Sequence, residues 1–376
     1  MSKNNFSIFN LILLLFNIIA IIGLLCAYLA DYLNPKIYFF AALNGLFYPY
    51  VLGVNILFIA FWLIRKWKYC FFSLISILIG LNSFQRFYQF TSKDIPSEND
   101  SLVKIMSYNV QVLGIYSNKN NKEDILHFLE KEKPDIACFQ EYCQNNSPEN
   151  KVSVTSQIKT AIHADNQYLY LPLSRGSYQF GMAIFSRFPI INKGNISFED
   201  AKTNHAMFAD MVIDKDTVRI YNIHFQSIHF GAEDYLFAQQ AVSNTDISND
   251  EWKKNGMRIL RKIKSSFAKR TSQVDTIAKH IESSPYKVIV CGDFNDTPWS
   301  YTYKQICNQL EDSFVGSGSG RGNTMKINNF LSFRIDYILH DKSFKNYKFT
   351  TDKINASDHY PIYTYLDVRC NLARAQ

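Results

Sequence analysis

Residues 287–296 read KVIVCGDFND. The first half is a short β-branched apolar run closed by a glycine, which is how a strand buried on both faces reads. The second half sets Asp293 and Asn295 just past the end of that strand. Loops at strand ends on a rigid scaffold are where functional side chains concentrate. The same order, apolar strand and then a polar cluster, recurs in both directions along the chain. It reads Ser107-Tyr108-Asn109, Phe139-Gln140-Glu141, Ile223-His224-Phe225, Arg334-Ile335-Asp336-Tyr337 and Ser357-Asp358-His359.

Strands are therefore expected at 103–110, 135–140, 182–186, 219–225, 287–291, 334–339 and 362–368. A helix is expected at 122–133, stopped by Pro134, and a longer one at about 251–283, where Ile259, Ile263, Phe267, Val274, Ile277 and Ile281 repeat at helical spacing. So many strands mixed with helices imply an α/β fold of two packed sheets flanked by helices. Residues 231–252 read as an insertion, part helix and part loop.

The N-terminal region is of a different kind. Residues 9–30 carry no charge and suffice to cross a bilayer of about 30 Å. Further uncharged runs cover about 37–64 and 69–85, so three transmembrane helices are expected in an anchor of residues 1–90. A cleaved signal peptide is the other reading of the first run, but the two runs behind it would still anchor the chain. Arg65, Lys66 and Lys68 fall between the second and third runs and mark that loop as cytoplasmic. Three crossings then place the chain beyond residue 90 outside the cytoplasm, which in a Gram-negative bacterium is the periplasm and in other cells the outer surface. Residues 91–101 read as a polar linker, and the catalytic domain spans 102–370.

Composition narrows the partners. The chain has 376 residues, 47% hydrophobic and 19% charged, as a globular protein does. Its net charge is +7, but residues 1–90 hold six basic residues against Asp31 alone, which leaves only +2 for the rest. A sequence-independent nucleic-acid binder presents a stronger basic footprint. The seven cysteines show no metal-ligand spacing.

Taken together as MSYNV, DIACFQE, IHF, CGDFND, RIDYI and SDHYP, the six clusters resemble, in order, those of the endonuclease/exonuclease/phosphatase superfamily. The resemblance covers about residues 102–369. It implies a deoxyribonuclease I-like four-layer α/β sandwich and a phosphoester hydrolase that uses Mg²⁺ or Mn²⁺. It also implies roles. Glu141 is the principal metal carboxylate, supported by Asn109, with Asp358 a second carboxylate on the metal side. Asp293 orients or deprotonates the attacking water, and Asn295 holds the phosphate beside it. His359 contacts a phosphoryl oxygen with Asp336 behind it, and His224 lies near the leaving group. The chemistry agrees: an anionic ester needs charge neutralisation, an activated water and help for its leaving oxygen, and hard oxygen ligands suit these cations.

Singly, each residue has an ordinary structural reading. A strand-end Glu141 is commonly solvated, Asp293 and Asn295 suit a turn beside Gly292 and Pro298, His224 suits a hydrogen-bonded core, and Asp336 suits an ion pair with Arg334. The ordered set is what favours one site. Arg187 reads equally as a phosphate ligand or a surface ion pair, and Arg270 on the long helix resembles a family arginine. The alternating Gly316, Gly318, Gly320 and Gly322 read as a flexible loop, and His229 and Glu233 begin the insertion. The resulting expectation is a membrane-anchored, metal-dependent hydrolase of a lipid-linked or small phosphoester, with the bilayer as a partner. The alternatives are an extracytoplasmic nuclease and a non-catalytic membrane scaffold.

Overall fold

The computed structural model describes residues 7–96, 101–115, 121–149, 152–198, 203–242, 247–326 and 332–369. Part of the expected linker at 91–101, and Cys370, lie outside these. The chain divides into a helical unit, residues 1–87 with 297–304, and a unit formed by residues 88–296 with 305–376.

The helical unit contains α1 (Ile8–Leu29), α2 (Phe39–Leu46), α3 (Tyr48–Arg65), α4 (Cys70–Ile79) and α5 (Leu81–Gln85). The apolar run at 37–64 is thus two helices, parted at Phe47 with Pro49 in the first turn of α3. A proline at that position is preorganised for a helix start. Among the described residues, two helices are long and apolar enough to cross a membrane, α1 and α3. The expected third crossing is corrected: α4 has 10 residues and ends at Gly80. At about 1.5 Å per residue such a helix reaches only half of a bilayer's hydrocarbon thickness.

Inside this unit four buried polar side chains are linked by hydrogen bonds. Trp62 Nε1 donates to Asn17 Oδ1 at 2.9 Å, Asn17 Nδ2 donates to Ser73 Oγ at 2.6 Å, and Ser73 Oγ donates to Asn55 Oδ1 at 3.1 Å. All four side chains are fully buried, so α1, α3 and α4 are tied by a closed network. The returning segment 297–304 belongs to the same core. The Trp299 ring stacks on Tyr48 at 4.1 Å between centroids, and its Nε1 donates to the Ser83 carbonyl at 3.1 Å. Arg86 pairs with Asp31 at 2.5 Å and also donates to the Pro298 carbonyl.

The second unit runs β1 (Val103–Asn109), α6 (Asn121–Glu132), β2 (Ile136–Asn145), α7 (Val154–Ile162), β3 (Asn166–Arg175), β4 (Tyr178–Ser186), β5 (Ile190–Ser197), β6 (His205–Ile213) and β7 (Asp216–His224). Then come α8 (Ala232–Val242), α9 (Asn249–Glu282), β8 (Lys287–Asp293), β9 (Leu310–Asp312), β10 (Met325–Lys326), β11 (Ser332–Phe333), β12 (Asp336–Asp341), β13 (Lys345–Thr351) and β14 (Ile362–Asp367). Two six-stranded mixed sheets result, in the orders β13-β14-β1-β2-β4-β3 and β5-β6-β7-β8-β12-β9. The expected fold of two packed sheets flanked by helices is present. β3, β5, β6, β9, β10, β11 and β13 are not among the expected strands. The insertion is α8, then residues outside the described ones, then the first turn of α9, started by a Ser248–Glu251 capping box.

Strand periodicity of two places the core. Ile105, Ile136, Cys138, Ile220, Ile289, Cys291 and Ile338 fill the layer between the sheets. Met106, Tyr108, Ala137 and Phe139 point the other way, onto α6 and α7 through Ile125, Phe128, Leu129 and Ile158. Along the inner layer the side chains turn polar toward one end: Gln140 Nε2 donates to Asn222 Oδ1 at 2.6 Å and to Ser107 Oγ at 3.2 Å, all fully buried. One residue pair farther along come Asn109, His224 and Asp293.

Trp299→Ala removes a buried stacked ring and an N–H donor, and should cost about 3–5 kcal/mol. Urea unfolding of the full chain in detergent, followed by circular dichroism, checks this. An unchanged midpoint would show that the returning segment contributes nothing to the helical unit.

Candidate active site

Register assembles the site. β7 and β8 pair in parallel with His224 opposite Asp293, and β8 and β12 pair antiparallel with Asp293 opposite Asp336. Three functional side chains thus share one row across three neighbouring strands. Asn109 ends β1 in the facing sheet, and its Nδ2 reaches Asp293 Oδ2 at 3.0 Å and Glu141 Oε1 at 3.2 Å. His359, in the turn before β14, sets Nδ1 2.9 Å from Asp336 Oδ2 and Nε2 3.7 Å from Asp293 Oδ2. Ser357 holds that turn, donating from Oγ to the Asn109 carbonyl at 2.8 Å and accepting the His359 N–H at 3.1 Å.

Glu141 is presented by a backbone device. The β2–β4 pairing slips between Phe139 and Tyr142, and Glu141 sits in the slip with φ 50°. A bulge of this kind re-aims one side chain out of the alternating pattern. Asn295 is left-handed too, at φ 52°, with its N–H on Asp293 Oδ1 at 2.8 Å and Nδ2 on the Phe225 carbonyl at 3.0 Å. Gln111, Val112 and Leu113 form a third left-handed stretch directly after β1. Conformations costly for non-glycine residues collect where the surrounding structure fixes them for function.

The electrostatics follow from burial. Asp293 is 1% exposed, and burial, with Asp336 beside it, pushes its carboxyl up to about 6 despite the neighbouring imidazoles. Burial acts against a charged His359, but Asp336 and Asp293 outweigh it and hold the imidazole well above its usual value. His224 is lowered, chiefly by burial, and its Nε2 has no hydrogen-bond partner, lying 3.7 Å from Asp293 Oδ2 and 3.8 Å from Glu141 Oε1. Glu141 is raised by burial of its carboxyl and by Asp358, although the side chain as a whole is 38% exposed.

All eight residues singled out in the sequence fall in this region: Asn109, Glu141, His224, Asp293, Asn295, Asp336, Asp358 and His359. Asp358 is exposed, with its N–H on Gln111 Oε1 at 3.3 Å. Asp336, Asp293 and His359 place ligand-capable atoms within 4.8 Å of one another. That trio suits a hydrogen-bonded relay better than a chelate, because an imidazole kept protonated by two carboxylates has no lone pair to give. The hard-oxygen side of the site fits a divalent cation better. There Glu141 is raised, faces Asp358, and receives one amide hydrogen bond.

The weaker candidates separate. Arg187 pairs with Asp135 at 2.9 Å, as a surface ion pair. Arg270 is fully buried; its Nε is 3.1 Å from Asp296 Oδ2 and Nη1 donates to the Gln226 carbonyl at 2.7 Å. Glu233 pairs with Arg258 at 2.9 Å. His229 feels the charge of Glu141 but hydrogen-bonds to Ser227. Ser357, Gln111 and the Phe225 carbonyl are additions to the expected set. Their signal is positional, a hydroxyl, an amide and a peptide oxygen beside recognised residues, and such groups carry no chemistry of their own in a sequence.

Comparison with known proteins bears on the family and the fold. The profile of the Endonuclease/Exonuclease/phosphatase family matches residues 106–359, and that of a domain of unknown function matches residues 10–87. No curated protein sequence matches. Among solved structures, a humanized D. rerio TDP2 is 15% identical and covers 71% of this chain and 100% of its own, with a TM-score of 0.50. An endonuclease/exonuclease/phosphatase from Beutenbergia cavernae is 13% identical and covers 71% of each chain, with a TM-score of 0.50. At these identities the likeness is one of fold.

Asp293 is raised in the cation-free protein, so the native state holds its proton above the unfolded pKa, and the stability this contributes is lost as pH rises through about 6. Asp293→Asn should therefore stabilise the cation-free protein at about pH 7.5 and change little at about pH 4. Unfolding midpoints at the two pH values check this; equal shifts at both would contradict it.

Proposed function

The chain belongs to the endonuclease/exonuclease/phosphatase family, whose members are phosphoester hydrolases, and from that premise we propose a membrane-anchored, divalent-metal-dependent hydrolase of a lipid-linked or small phosphoester. The observation that carries the chemistry is Asp293, buried between two imidazoles and raised to about 6. A carboxylate so raised is a proton acceptor matched to near-neutral pH. Its Oδ1 is fixed by the Asn295 N–H, and Oδ2, which accepts from Asn109 Nδ2 and faces both imidazoles, is the oxygen that would take a proton from water. His359, held as a cation by Asp336, stabilises charge growing on the phosphoryl oxygens. Neutral His224, with its free Nε2, stands ready for the substrate, and Asn295 borders the phosphate from its left-handed turn.

Glu141 and Asn109 would hold Mg²⁺ or Mn²⁺, with Asp358 on the same side. When bound, that ion supplies positive charge for the phosphoryl and leaving oxygens. The membrane half of the proposal rests on α1 and α3. The extracytoplasmic placement expected from three crossings lacks its third. Two crossings return the chain to its starting side, and Arg65, Lys66 and Lys68, directly after α3, favour the cytoplasm for that side.

The test uses the full chain in lipid nanodiscs with bis(p-nitrophenyl) phosphate, plasmid DNA, phospholipid and polyprenyl pyrophosphate. Hydrolysis should need Mg²⁺ or Mn²⁺ and stop with chelator. Glu141→Gln should raise the Mg²⁺ needed for half-maximal rate by at least about tenfold, and His359→Ala should lower kcat by about a hundred- to thousandfold. Chelator-resistant hydrolysis, or near-normal turnover by His359→Ala, would contradict the proposal. Preference for DNA would move the substrate to nucleic acid, and silence on every substrate would favour a scaffold.

A further inference from the structure

Beside the catalytic histidine lies a groove of about 870 Å³. Three basic residues, Arg321, Lys348 and Lys353, line it with one acid, Asp94, and two tyrosines, Tyr88 and Tyr360. Its wall is continuous with the active site. Tyr360 follows His359 in the chain and donates its N–H to the Thr324 carbonyl at 2.6 Å. Thr324 Oγ1 accepts the N–H of Asp336 at 3.1 Å, and the next residue, Met325, forms a β-bridge with His359. One threonine thus holds both the backbone of Asp336, behind His359, and that of Tyr360 at the edge of the groove.

The cations are presented rather than scattered. The β13–β14 pairing slips between Tyr347 and Thr350, and Lys348 sits in the slip with φ 47° and its N–H on the Lys93 carbonyl at 2.7 Å. This repeats, on the edge strand β13 of the same sheet, the device that presents Glu141 from the interior strand β2. Arg321 stands between Gly320 and Gly322, left-handed at φ 68° and 61°, in the loop that reads as merely flexible in sequence. Lys348 and Lys353 are exposed, and neither forms a salt bridge with a carboxylate among the described residues.

We propose that this groove is a subsite for a second phosphate group of the substrate, carried on the part of the molecule that extends from the scissile ester past His359. The proposal rests on the hydrolase reading above and specifies its substrate class. Three cations converging on one groove suit a dianionic group better than a lone hydroxyl or a neutral acyl chain. The volume exceeds what one phosphate needs, so the group that bears it lies against Tyr88 and Tyr360. A phosphorylated lipid headgroup and a nucleotide chain share this chemistry.

The test compares substrates with the same scissile bond and with or without one further phosphate: the dinucleotide TpT against its 5′-phosphorylated form, and glycerophosphoinositol against its ring-phosphorylated form. The full chain in nanodiscs should favour the extra phosphate in one pair by about tenfold in kcat/KM, the scale of two solvent-screened ion contacts. The favoured pair identifies the source. Lys348→Ala with Lys353→Ala should bring that ratio toward one through KM, and Lys353→Gln alone, an exposed side chain, should do so in part. A ratio near one in both pairs for the unaltered protein, or a ratio untouched by these substitutions, overturns the subsite. Calorimetric binding of inorganic pyrophosphate gives a readout independent of turnover. The double substitution should weaken it about tenfold; an unchanged affinity overturns the subsite even if no ester is hydrolysed, whereas failure of hydrolysis alone counts against the parent reading.

Discussion

Asp293 and Asp336 face each other across β8 and β12, each 1% exposed, and everything about the site follows from having to bury two carboxylates side by side. Neither charge is tolerable there alone. His359 answers one of them directly, at 2.9 Å from Asp336, and becomes a held cation as a result. Asp293 has no such direct cation, only the Asn109 amide, the Asn295 N–H and two imidazoles at 3.7 Å, and burial raises its carboxyl to about 6. In the proposed mechanism the base and the electrophile are thus two outcomes of one charge imbalance.

The imbalance can exist because the inner layer changes character along the strands. Ile105, Ser107 and Asn109 are successive inward residues of β1, as Ile220, Asn222 and His224 are of β7 and Ile289, Cys291 and Asp293 are of β8. Apolar packing holds the sheets together, a buried amide and hydroxyl network bridges them, and the reactive groups sit at the end of the same rows. Two β-bulges then turn Glu141 and Lys348 out of the alternating order. In our reading one of them serves the cation and the other the far end of the substrate.

The parts that are readable from sequence are those where chemistry and periodicity coincide. KVIVCGDFND announces a strand with a polar end, and β8 runs through Asp293. The eight site residues can be singled out because strand-end carboxylates, amides and imidazoles are rare in combination. β5 and β6 escape because Ile190–Ser197 alternates exposed Lys193 and Asn195 with a glycine, and His205–Ile213 carries buried His205 and Asp210, the latter answered by Arg219 and Asn192 from the two neighbouring strands. The bulge at Glu141 has no local signature, since it arises from the pairing with β4. The third hydrophobic run overstates a crossing because hydropathy does not register where Gly80 stops a helix. Likewise, nothing in the stretch after Asn295 indicates that Trp299 packs in the helical unit's core.

The central claim is that Asp293 deprotonates a water that attacks phosphorus in one step, with no protein side chain bonded to the phosphoryl group. Hydrolysis of a phosphodiester made chiral at phosphorus with sulfur and oxygen isotopes tests this directly. A single in-line displacement predicts inversion of configuration, with the new oxygen drawn from water. Retention would mean two displacements through a covalent intermediate, with His224 or His359 as the nucleophile, and would contradict the account.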